Sequence, residues 1–159
     1  MFERALDDLV LVAAVGSGVT GGIFYAFSTF VMPALARIPP EQGVAAMRQI
    51  NVTVINPMFM LAFMGTALVC LILAGGALFW WGGLSGKLIL AASLIYLVGC
   101  LAVTMALNVP LNDALARADA AELLKLWPRY LRDWTLWNHV RTAAPIAATA
   151  LFMVAARGV

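Results

Sequence analysis

The chain has one histidine, and it lies in Trp134-Thr-Leu-Trp-Asn-His-Val-Arg141, where a polar stretch opens a hydrophobic one. An imidazole can exchange a proton near neutral pH or ligate a metal. Amide and guanidinium groups donate hydrogen bonds, and indoles stack on flat apolar molecules. Polar and ionisable groups are costly beside hydrocarbon, so a dense group of them there is a functional-site hypothesis by default. Arg141 would fall in the first turn of a helix, where its positive charge opposes the helix dipole. A partner such as a carboxylate or an anionic oxygen explains that placement; snorkelling to lipid phosphate is the alternative.

One histidine with no carboxylate or cysteine beside it makes a poor zinc or non-haem iron site, since those take three or four ligands. No metal site is expected. Haem could use one axial histidine with a methionine such as Met32, Met47, Met58 or Met60 as second ligand, although methionine mostly fills cores. There is no nucleotide- or phosphate-binding motif, and no serine or cysteine nucleophile with a partnered base. Cys70 and Cys100 lie inside apolar runs and read as small hydrophobes.

The elements that must position these groups follow from composition. Of 159 residues, 64% are hydrophobic and 11% charged, and the mean hydropathy is +0.94. A soluble domain carries about a quarter charged residues, so this is a membrane chain, expected to form a single domain over 1–159. A net charge of +2 does not point to nucleic acid. The N-terminus lacks a basic stretch and a small-residue cleavage site, so the first span is expected to be retained rather than removed as a signal peptide.

Four stretches are long enough to cross a bilayer as helix, which takes about 20 apolar residues: Leu9 to Leu35, Pro57 to Trp81, Leu88 to Asn108 and Asn138 to Ala156. Gly16, Gly18, Gly21 and Gly22 would let a neighbouring helix approach the first span closely. Asn56 reads as an N-cap followed by proline, and Pro110 is expected to stop the third span. Residues 36–56 read as a connection with a short helix after Pro39-Pro40. Residues 109–137 read as a longer one, with a capping box at Asp119-Ala-Ala-Glu122 and a second short helix restarted by Pro128. The expected fold is all-α: an integral membrane four-helix bundle with short amphipathic helices capping one end.

Of the ten basic residues, Arg37, Arg48, Arg117, Lys125, Arg129, Arg132 and Arg141 lie on the side of the long connections; Arg4, Lys87 and Arg157 lie on the side of the termini. That bias places the long connections in the cytoplasm of a cell inner membrane and both termini outside. The long-connection side also holds Asn51, Asn56, Asn108, Asn112, Asn138, Gln49, Trp127, Trp134 and Trp137. N-capping would account for Asn56, Asn112 and Asn138, and an interfacial aromatic belt for the tryptophans, with Trp80 and Trp81 at the other interface. Asn108 ends a span and shares a helix face with Thr104, so capping does not account for it. If residues 130–141 form one helix, Tyr130, Trp134, Asn138 and Arg141 share a stripe and His139 points well over 90° away; a break at Asn138 would turn His139 toward them.

Four ordered blocks carry a resemblance: Phe27-Ser-Thr-Phe-Val-Met-Pro-Ala-Leu35, Ala46-Met-Arg-Gln-Ile-Asn51 with Asn56-Pro-Met-Phe59, Asn108-Val-Pro-Leu-Asn112, and Trp134 to Arg141. Together they resemble the anthrone oxygenase family, small four-helix membrane proteins whose fungal members oxidise anthrones to anthraquinones with O₂. The resemblance implies a membrane oxygenase acting on an anthrone-like or phenolic lipophile, with O₂ and membrane lipid as partners and no cofactor. It assigns His139 as general base, with Asn138, Arg141, Asn108 and Asn112 as donors. Asn51 would bind substrate, and Trp134, Trp137 and Tyr25 would wall the pocket. Two other readings stand beside it: a haem-binding membrane redox protein, and a non-enzymatic binder or permease for a small anionic lipophile. Glycine-rich faces also allow a homo-oligomer.

Overall fold

A computed structural model describes residues 2–79 and 83–157. Within them the chain is helical, and no strand occurs among the described residues. Five helices follow one another: α1 over residues 2–35, α2 at Pro40–Thr53, α3 at Pro57–Phe79, α4 at Gly83–Arg117 and α5 at Ala120–Ala155. Among the described residues three segments are long and apolar enough to cross a membrane, namely Asp7–Leu35 within α1, α3 and α4. The expected fourth span is the C-terminal half of α5, and it is not among these three. Its first residues, Asn138, His139, Arg141 and Thr142, make it markedly more polar. It nevertheless packs against α1 and α4, while α3 lies against both of those helices. Trp80 and Trp81 lie outside the described residues.

The packing separates into two cores. Val10, Leu73, Tyr96, Phe152 and neighbouring small residues fill the bundle. Met32, Leu35, Val44, Met47, Leu115, Trp127, Tyr130 and Trp134 form a second core, in which α2 and the first half of α5 cap one end. Arg48 ties this cap together. Its guanidinium donates to Leu115 O (2.7 and 2.9 Å) and to Ala118 O (2.7 Å), satisfying carbonyls at the C-terminus of α4. Gly43 is where the cap closes most tightly. A Cβ there would lie 2.7 Å from the Trp127 ring and 3.0 Å from Leu35 O.

Several local expectations hold. Asn56 accepts from Phe59 N at 3.0 Å with Pro57 in the first turn, and Asp119 caps α5 by accepting from Ala121 N and Glu122 N. A side chain at Gly16 would run into Thr66, and one at Gly21 would meet Ile146 at 3.0 Å. Gly18 makes an ordinary contact, and Gly22 faces open space.

Others are corrected. Pro110 does not stop α4, and Pro128 does not restart a helix, because α5 runs unbroken through it. Consequently 109–137 is not a loop with two short helices, and neither Asn112 nor Asn138 is an N-cap. Pro128 is tolerated because it and Leu124, whose carbonyl loses its donor, both lie on an exposed face. Pro110 follows a π-helical turn at Thr104–Asn108, where the wider spiral displaces the hydrogen bonds a proline would break. Further π turns occur at Phe27–Val31, Leu61–Gly65 and Leu97–Ala102. Each shifts the hydrogen-bond register by a residue. In the Leu61–Gly65 turn Phe63 O accepts from Tyr96 Oη (2.9 Å), and in the α-helical part of α1 Phe24 O accepts from Asn138 Nδ2 (2.8 Å).

Candidate functional site

Between the bundle and its cap lies a cavity of about 330 Å³. Its walls are mostly Phe24, Phe27, Phe59, Phe63, Met47, Met60, Met64, Met105 and aliphatic side chains, with five polar residues: Asn51, Thr104, Asn112, Trp134 and Arg141. Three of the four π turns contribute lining, through Phe27, through Phe63 and Met64, and through Thr104 and Met105. An apolar cavity with a few convergent polar groups is the usual form of a small-molecule site.

Arg141 is the centre of this arrangement. It is only 6% exposed. Its guanidinium carbon stands 4.1 Å from the centroid of the Phe24 ring and 4.7 Å from that of Trp134, a stacking geometry that favours arginine over lysine. Nε donates to Asn138 Oδ1 at 3.0 Å, and one terminal nitrogen reaches Thr104 Oγ1 at 3.4 Å. Among the described residues no carboxylate lies within 4.0 Å of it. The α5 helix therefore brings a cation to the cavity without its counter-charge.

Asn112 is held from the other side. Its Oδ1 accepts from Tyr130 Oη and from Trp134 Nε1, each at 2.8 Å. Burial pushes the Tyr130 phenol above its usual range, so it stays a donor. With both lone pairs of Oδ1 taken, the amide orientation is fixed, and its NH₂ has no partner among the described residues. The polar wall thus presents N–H groups from two residues, and its chemistry fits a negatively charged oxygen.

The sequence-predicted residues divide accordingly. Arg141, Asn112, Asn51 and Trp134 line the cavity. Asn138 and Asn108 are fully buried behind it. Asn138 orients Arg141 and donates to Phe24 O and to Ser28 Oγ (2.7 Å). Asn108 Nδ2 donates to Trp134 O at 3.1 Å, and its Oδ1 has no partner among the described residues. Trp137 is half-buried and is not part of the cavity wall. Tyr25 is 55% exposed and lines an outer groove with Ser28, Thr29, His139 and Thr142. His139 is exposed there, because α5 continues through Asn138 without a break. Its Nδ1 lies 3.0 Å from Ser28 Oγ. His139 thus reaches Arg141 only through Ser28 and Asn138. Among the described residues no three His, Cys, Asp or Glu side chains cluster as metal ligands would.

Sequence reasoning missed Phe24 and Ser28 as parts of the site. Ser28 stands in one of the quoted blocks, and Phe24 lies one helical turn before it on the same face. That spacing was the available signal.

The family model for anthrone oxygenase matches residues 59–151, a stretch that carries Phe59, Phe63, Thr104, Asn112, Trp134 and Arg141. No curated protein and no solved structure matches the chain. The match covers more than half of the sequence and holds most of the cavity's polar wall: the chain belongs to the anthrone oxygenase family.

Proposed function

We propose that the protein is a four-span membrane oxygenase, and that its cavity binds the anion of an anthrone-like or phenolic lipophile and exposes it to O₂. The observation that carries this reading is the stacked, buried Arg141 without a carboxylate partner, facing a cavity whose other fixed polar group is an N–H donor. A cation within a few ångströms typically lowers the pKa of an acid by about 1–3 units. Loss of a proton from the CH₂ opposite an anthrone carbonyl gives a phenolate-like anion, electron-rich enough to reduce O₂. One oxygen atom becomes the new carbonyl and the other leaves as water with both hydrogens of the CH₂, so no net proton acceptor is needed.

In this reading Arg141 and Asn112 hold the oxyanion, Phe24 and Trp134 flank the ring system, and Asn51 and Thr104 complete the polar rim. His139 acts as a positioning residue that holds Ser28, and through it Asn138 and Arg141, rather than as a base touching substrate. By the basic-residue bias, the capped end faces the cytoplasm and both termini lie outside.

The test is O₂ uptake by purified protein with an anthrone, alongside the absorbance of the quinone product. Stoichiometric quinone formation that disappears in Arg141→Met supports the proposal. Saturable anthrone binding with no O₂ consumption would replace it with a non-enzymatic binder.

A further inference from the structure

Three residues of the cavity wall are also open to the outside of the molecule: Ile55 is 73% exposed, Met105 57% and Met64 43%. Such exposure is too large to arise from the cavity alone, so these side chains form its rim. Met64 belongs to α3 and Met105 to α4, both long and apolar enough to span a membrane, and Ile55 lies in the turn that leads into α3. Around them the outer surface carries Val52, Met58 and Leu61, each strongly exposed and apolar. Charged side chains are absent from the whole cavity wall except for Arg141. A mouth facing water would expose this apolar rim at a cost of roughly 25 cal/mol per Å², whereas a mouth facing hydrocarbon would not.

We infer that the cavity opens sideways into the bilayer through a portal between α3 and α4, rimmed by Ile55, Met64 and Met105, and that its ligand enters from the lipid phase. This rests on the reading of the cavity as a ligand site. It sets the ligand class more narrowly: the neutral, membrane-dissolved acid enters past the methionines and meets Arg141 at the inner wall. Methionine suits such a rim, because its unbranched side chain changes rotamer readily and adapts to different flat molecules.

The portal is tested with 6-bromo-2-naphthol, a planar lipophilic phenol whose bromine quenches tryptophan, and protein reconstituted in phosphatidylcholine vesicles. Quenching that is lost in Trp134→Phe reports entry to the cavity. With the portal, the association rate follows the mole fraction of probe in the lipid when cholesterol is added to the vesicles to change partitioning at fixed aqueous concentration. Met64→Phe with Met105→Phe slows both association and dissociation, association by about tenfold, equivalent to about 1.4 kcal/mol of barrier. Met64→Ala with Met105→Ala speeds both, which provides a second variant if the first does not fold. Rates that follow only the aqueous concentration and ignore both rim variants overturn the portal while leaving the cavity a ligand site. Absence of any Trp134-dependent quenching overturns the ligand site and the portal with it.

Discussion

Arg141 is the residue on which the functional reading turns, because its environment separates two roles that the sequence left together. Removing one donor to a developing oxyanion costs about 10²–10³ in turnover, so Arg141→Met should lose that much O₂ uptake. It should keep its fold, since an uncompensated buried cation is removed and replaced by an apolar side chain of similar length. Arg141→Lys should not restore activity: an ammonium loses both the planar stack between Phe24 and Trp134 and the fork toward Asn138 and Thr104. His139→Ala gives the contrasting prediction. A general base in contact with substrate would cost about 10²–10⁴-fold, whereas a residue acting through Ser28 should cost no more than about tenfold. The loss should be carried mainly by KM, with the pH profile of kcat unchanged. Steady-state O₂ uptake measured across pH for both variants distinguishes the two roles.

At the level of elements, the helices and their apolar faces were legible in the sequence, but the continuity of α4 and α5 was not. Pro110 and Pro128 carry the same local signal as helix-ending prolines. What overrides it is context: a preceding π turn in one case and an exposed carbonyl in the other. The same continuity decided the site. An unbroken α5 sets Tyr130, Trp134, Asn138 and Arg141 on one stripe and sends His139 outward, one of two outcomes that spacing alone had left open. The π turns were not legible at all, because no residue spacing marks a local widening of the helical spiral. Phe24 and Ser28 enter the site through Asn138, whose Nδ2 donates to Phe24 O and to Ser28 Oγ. Gly43 tests the cap as an element. Gly43→Ala places a methyl against the Trp127 ring and Leu35 O, and overpacking of this kind typically costs about 1–3 kcal/mol. A thermal unfolding scan in detergent should show a lower midpoint, and binding of 6-bromo-2-naphthol should weaken because the cap forms one side of the cavity.

On the scale of the whole molecule, one end is built differently from the rest. The bundle is packed through small residues and a few large apolar ones, as suits helices in lipid. The cap is packed as a soluble core with buried tryptophan and tyrosine, and the cavity lies where the two meet. The basic-residue bias predicts that this capped end is cytoplasmic. A cysteine replacing Arg117, at the exposed end of α4, should be shielded from an impermeant maleimide in intact cells and should react after lysis; labelling of intact cells would reverse the orientation. The central claim, that Arg141 and Asn112 form a wall for an anionic oxygen, is tested most directly by the ionisation of a bound phenol. 6-Bromo-2-naphthol absorbs at longer wavelength as its anion, so its titration can be followed by absorbance in the cavity and in empty micelles. The account predicts that the bound probe ionises at a pH lower by at least about one unit, and that the shift disappears in Arg141→Met. A bound probe that ionises at the micellar pH, or above it, would contradict the account.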